Sequence, residues 1–143
     1  MYGIATNIWD QGFKKIPSDN IIKKSYRTAT NYLLKKRDME GASIALTEHL
    51  AKYPESRYAP DASYWLGEIY LLQGRTQSAL SYFLKIVNEY PDHEKVVAAQ
   101  YKLGTIYFQI GRKAMAREML RLASKDGSAI GDKAKDFLKR EKL

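Results

Sequence analysis

A self-similarity at an interval of 37 residues constrains this chain more than any other feature. Tyr53-Pro54 recurs as Tyr90-Pro91, Tyr64 as Tyr101, Leu66-Gly67 as Leu103-Gly104, Tyr70 as Tyr107 and Gly74 as Gly111. Two series pass through three units: Ala42, Ala79, Ala116 and Leu46, Phe83, Leu120. A period of about 20 to 50 residues is the mark of stacked supersecondary units. The apolar residues inside each unit fall at helical spacing, so a unit reads as helix A, a short turn at Gly74 or Gly111, helix B and a loop. Glycine just past a helix end readily takes the left-handed conformation that closes the last turn. The expected fold is an all-α, right-handed solenoid of three helix pairs plus a C-terminal capping helix.

The stretch Tyr58 to Tyr70 carries a glycine where a helix would not choose one, since Gly costs about 1 kcal/mol relative to Ala there. Close helix packing supplies the reason. Gly67, Ala79, Gly104 and Ala116 let helices A and B approach, while Leu66, Tyr70, Phe83, Leu103, Tyr107 and Leu120 fill the space between them. Upstream, Pro17-Ser18-Asp19-Asn20 offers capping side chains to a helix from about Asp19 to Lys36 with Ile22, Tyr26, Ala29, Leu33 and Leu34. Lys35-Lys36-Arg37 reads as a complement to that helix's dipole. A second helix, about Met39 to Lys52, presents Ala42, Ala45, Leu46 and Leu50, and ends before Tyr53-Pro54 because the residue preceding a proline avoids helical geometry. Ala129 to Lys142 places Ala134, Phe137 and Leu138 on one side and charges elsewhere, as a helix covering the last repeat must.

The expected organisation is thus a single domain over 18–143, with repeats at about 25–61, 62–98 and 99–127 and a cap at 129–142. Residues 1–17 read as a linker or short helix, with Ile4, Ile8, Trp9 and Phe13 on one face and Gly12 and Pro17 interrupting it. At 143 residues such a domain buries roughly 68–70% of its unfolded surface. The chain has no cysteine, which excludes disulfides, thiolate metal sites and thiol catalysis. No apolar run approaches the ~18 residues of a membrane helix. Met1 to Asn20 lacks the apolar centre of a signal peptide, so an exported form is expected to have been trimmed, and a full-length one to be cytoplasmic.

The net charge of +8 is unevenly placed. Residues 1–37 carry eight basic and two acidic groups, residues 38–104 six and nine, and residues 105–143 ten and five, so basic ends flank a mildly acidic middle. Basic ends with eleven tyrosines raise a single-stranded nucleic acid or anionic-membrane reading. Against it, Tyr26, Tyr70, Tyr90 and Tyr107 occupy packing positions, and the acidic middle would fall at the centre of any groove.

Catalysis needs convergent titratable groups, and the pattern offers few. His49 and His93 are the only histidines; His49 reads as a half-exposed side chain of helix B, and His93 as part of a loop and helix start. Asp92 and Glu94 read as caps and dipole partners rather than cation ligands. Gly104, Gly111, Gly127 and Gly131 lack the dense spacing of a phosphate loop. No enzyme activity, cofactor or metal is expected.

The order Leu66, Gly67, Tyr70, Gly74, Ala79, Phe83, Pro91 resembles a tetratricopeptide repeat, with the tryptophan displaced to Trp65. The third repeat matches at Leu103, Gly104, Tyr107, Gly111 and Ala116, and the first is degenerate, with Ala29, Thr30 and Leu33 at the Leu, Gly and Tyr positions. Tyr53 to Tyr70 is more specifically similar to the repeat domain of the periplasmic Tol-Pal coordinator family (YbgF/CpoB type), over about Ser25 to Leu143. The resemblance implies a non-catalytic scaffold of the Gram-negative periplasm with Tol-Pal or other envelope proteins as partners. Outer-membrane assembly lipoproteins of the BamD type use similar long repeats and are the alternative. It also implies a concave groove for a partner segment, lined by Arg27, Asn31 and Leu34 from the first repeat, Tyr64, Glu68 and Leu71 from the second, and Tyr101, Thr105 and Phe108 from the third. Tyr64, Leu71, Tyr101 and Phe108 are expected to be exposed, with no core role.

Overall fold

The computed structural model describes residues 18–143, so the short helix considered for Met1 to Pro17 lies outside the described residues. Among these, the secondary structure is seven α-helices, and they divide into two compact units, the second being Arg57–Leu143.

The first unit contains α1 (Asp19–Leu34) and α2 (Met39–Lys52). Ser18 caps α1, its hydroxyl accepting from the Ile21 N–H at 3.3 Å. Asp38 does the same for α2, accepting from the Gly41 N–H at 2.9 Å. Such a cap is worth about 1 kcal/mol. α2 stops at Tyr53, where the following proline requires it to. α1 ends at Leu34 rather than Lys36. The basic triplet therefore falls beyond its last turn, and Arg37 adopts a left-handed φ of 53°. Ala29, Ala42, Leu46, His49 and Leu50 are the buried residues of this pair.

The second unit holds α3 (Ala59–Leu72), α4 (Thr76–Glu89), α5 (Lys95–Gln109), α6 (Lys113–Ser124) and α7 (Ala129–Arg140). Gly74 and Gly111 have φ of 75° and 85°, as a Schellman closure requires. The hydrogen bonds repeat with them. Arg75 N–H returns to Tyr70 O at 2.8 Å and Arg112 N–H to Tyr107 O at 2.8 Å. The period is therefore written in backbone geometry as well as in residue type.

The pairs α3–α4 and α5–α6 each close on a glycine. A Cβ on Gly67 would lie 2.6 Å from Cζ of Phe83, and one on Gly104 would lie 2.5 Å from Cγ of Leu120. The large residue of helix B thus occupies the space that the glycine of helix A leaves. Phe83 and Leu120 are fully buried, and burying a side chain of that size contributes roughly 1.5–3 kcal/mol. One core cluster joins Ala79, Leu80, Phe83 and Ile86 to Ala99, Leu103, Ile106, Tyr107 and Ala116. A smaller one joins Leu120 and Ala123 to Ala134, with Phe137 and Leu138 packed beside it. That is the covering role expected of α7. Ser128 caps this helix, and the C-terminal residue is held where Arg117 Nε donates to Leu143 O at 2.9 Å. Trp65, one position from the usual place of the repeat's tryptophan, is half-buried.

Candidate partner-binding groove

Residues four and three apart share a helix face, which places Arg27, Asn31 and Leu34 on one face of α1. All three are exposed, Leu34 at 64%. On α3 the corresponding face carries Tyr64, Glu68 and Leu71, and on α5 it carries Tyr101, Thr105 and Phe108; all six are half-buried.

These six do more than wait for a partner, which corrects the expectation that the apolar ones are free of core duties. Tyr64 meets Phe83 edge to face at 5.6 Å, and Phe108 meets Phe137 of α7 at 5.3 Å. Leu71 packs on the larger core cluster and Tyr101 on the smaller. Aromatic pairs of this kind add about 0.5–1.5 kcal/mol beyond their area, so removing Tyr64 or Phe108 costs stability. Thr105 turns its hydroxyl inward to Lys102 O at 2.9 Å. Glu68 is joined to Lys102 by an ion pair of 2.9 Å.

A pocket of about 230 Å³ opens on this face, lined by Tyr64, Ala98, Tyr101, Lys102, Ile130 and Lys133. Lys95 stands over the Tyr64 ring, 4.9 Å from its centroid. Burial, and secondarily the charge of Glu68, push the Tyr64 phenol up to about 12, so it remains a neutral hydrogen-bond donor. The middle of the chain is acidic in sequence, yet this face is rimmed by lysines. Ile130 and Lys133 join the pocket from α7, a helix that departs from the repeat and so carries no periodic signal for its lining residues. Lys95 and Lys102 lie off the 37-residue register that relates Tyr64 to Tyr101, so the repeat does not mark them.

The two histidines are placed differently from the expectation. His49 is fully buried, not half-exposed. Its Nδ1 is 3.0 Å from Ser25 Oγ and its Nε2 2.8 Å from Ser56 Oγ, and Tyr26 and Tyr53 meet its ring edge to face. Burial lowers its pKa, which keeps the imidazole neutral with one nitrogen donating and the other accepting. Although this is a Ser–His contact, the ring has no exposed surface for a substrate to reach, and its work is to fill the α1–α2 interior. The 37-residue register held the signal: His49 aligns with Ile86 and Ala123, both fully buried.

His93 comes together with Asp61 and Glu94, whose ligand-type atoms all lie within 4.8 Å of one another. The ring is held from both sides by protein groups. His93 Nδ1 accepts the Lys95 N–H at 3.0 Å, so in the neutral ring Nε2 carries the proton and directs it toward Asp61 Oδ2, 3.7 Å away. Metal on Nε2 would require a proton on Nδ1, where a donor already points. The contact instead ties the start of α5 to the start of α3. Burial raises the Asp61 pKa, opposed by His93 and Lys95 and reinforced by Glu94.

Residues 58–125 match the family model described as tetratricopeptide repeat, and the glycine-closed helix pairs within that stretch have the layout of such repeats. Over 61 residues the chain is 44% identical to a protein named Cell division coordinator CpoB from Pseudomonas putida strain KT2440, and equally to a CpoB from Pseudomonas putida. The match covers 43% of this chain and 23% of each relative. Among the described residues no helix is long and apolar enough to cross a membrane.

Proposed function

We propose that this protein is a non-catalytic interaction scaffold that takes a partner segment along Tyr64, Glu68 and Leu71 of α3 and Tyr101, Thr105 and Phe108 of α5, with Arg27, Asn31 and Leu34 of α1 adding a further contact face. Its setting is the Gram-negative periplasm, and its partners are Tol-Pal and cell-division proteins, a reading supported by the likeness to a cell division coordinator over the repeats. The observation that carries the groove is the pair Tyr64 and Tyr101. They recur at the same place in successive repeats, neither is fully buried, and both open on one pocket. Aromatic side chains half-embedded in a firm surface are the usual anchors of protein interfaces.

The test is binding of purified Tol-Pal components to the immobilised chain by biolayer interferometry, with Bam-type assembly components as a second arm. Tyr101→Ala should weaken the interaction about tenfold, an ordinary hot-spot loss, while circular dichroism shows the helices retained. Unaltered affinity in that variant would remove the groove from the account. Binding of the Bam-type set alone would reassign the setting to outer-membrane assembly.

A further inference from the structure

We propose that the pocket between α3, α5 and α7 selects partner segments by an acidic side chain, an Asp or Glu flanked by apolar residues. This rests on the groove reading above and names the chemistry of its ligand. Small-molecule sites run to about 300–1,000 Å³, so a hollow of about 230 Å³ suits a single side chain. Its walls are apolar where Ala98, Ile130 and the tyrosine rings line it. The polar atoms offered to an occupant are nearly all donors. The Tyr64 and Tyr101 hydroxyls and the Lys133 ammonium have no hydrogen-bond or ion-pair partner among the described residues. Lys102 is steadied by Glu68 and keeps further N–H donors, since an ammonium has three. Tyr64 holds its proton up to about 12 and cannot act as an anion.

Glu68 is engaged by Lys102, and Asp61, one turn before Tyr64, faces His93 and Lys95. Within the lining itself the charged side chains are Lys102 and Lys133. A site lined by two phenol donors and two ammonium groups is complementary to an acceptor of negative charge. A carboxylate receiving hydrogen bonds from phenol and ammonium groups makes the stronger, charge-assisted kind. The occupant is taken as a peptide side chain because the hollow accepts one group against an apolar floor. A bilayer presents a plane of headgroups, and a nucleic acid strand requires a track of phosphate contacts.

The experiment passes a library of acetylated, amidated random octapeptides over the immobilised full chain and sequences what is retained, so that no free terminus supplies the charge. Retained peptides should share Asp or Glu at one position, and its replacement by Asn or Gln should weaken binding about tenfold in fluorescence anisotropy, the loss of one charge-assisted hydrogen bond. Lys133 is exposed, so Lys133→Glu should leave the circular dichroism unchanged and shift the selected residue from acidic to Lys or Arg. Peptides retained without an acidic preference, yet lost on Tyr101→Ala, would overturn this inference and leave the groove standing. Retention of no peptide would overturn both. Vesicles containing phosphatidylglycerol and a thymidine oligonucleotide run in parallel. Binding of either that is abolished by Lys133→Glu, with no acidic peptide retained, would give the pocket to lipid or nucleic acid instead.

Discussion

The first helix pair and the two that follow share one register but answer it with different chemistry. Where the later pairs have Gly74 and Gly111, the first has Arg37, held at the same kind of positive φ. Where they have Gly67 and Gly104 against a large residue of helix B, it has Thr30. Where they bury Ile86 and Ala123, it buries His49 between two serine hydroxyls. Leu34, the counterpart of half-buried Leu71 and Phe108, is largely exposed. A tetratricopeptide-type hairpin thus survives loss of its signature residues as long as the buried volume is filled and every buried polar atom has a partner. What it gives up is indifference to pH and an unstrained turn.

The largest effect should come from breaking the later pairs at their closest approach. Gly67→Leu drives a side chain into the Phe83 ring and should destabilise by about 1–3 kcal/mol, the usual cost of overpacking. An unchanged midpoint in urea would show that α3 and α4 do not meet through Gly67.

Acidification should separate the pairs next. Burial lowers the pKa of His49 below its ordinary 6.5, so the unfolded chain binds the proton more readily than the folded one. Stability is then full above about pH 6.5 and is lost as pH falls toward the folded-state value. Hydrogen exchange should show amides of α1 and α2 losing protection between pH 7.5 and 5.5. His49→Leu should abolish that additional loss, and a wild-type-like pH response in this variant would point to another group.

The smallest effect concerns the turns. A left-handed residue with a Cβ costs roughly 1–2 kcal/mol, so Arg37→Gly should stabilise the first pair by up to about 1 kcal/mol, after allowing for the greater freedom of glycine in the unfolded chain. Gly111→Ala should destabilise by a similar amount, although a Cβ there meets no atom within 4 Å, because the strain is in the backbone and not in packing. Thermal melts of the two variants moving in the same direction would contradict the equivalence of the two turns.

Much of this fold was legible in the chain because stacked helix pairs demand the same thing every 37 residues. A glycine at the crossing, a bulky residue opposite it and a glycine at the turn are local and periodic requirements, and so they leave a periodic trace. The bounds of α2 were readable residue by residue, since Asp38 caps one end and Pro54 limits the other. The helix faces carrying Tyr64 and Tyr101 were readable for the same reason.

The rest depended on which side chains meet across helices that no period relates. Lys133 reaches the pocket because α7 packs against Leu120 and Ala123 in its own manner. His49 finds Ser25, 24 residues away, and His93 finds Asp61. Phe108 lies edge to face on Phe137 while staying only half-buried. The sequence by itself determined the repeat, the helix pairs and the glycine-to-bulky-residue closures, because each follows from steric limits at fixed spacing. Tertiary structure alone decided which lysines meet at the pocket, the buried histidine and the division of aromatic side chains between core and surface. Those depend on through-space distances and on the exclusion of water, which no single segment encodes.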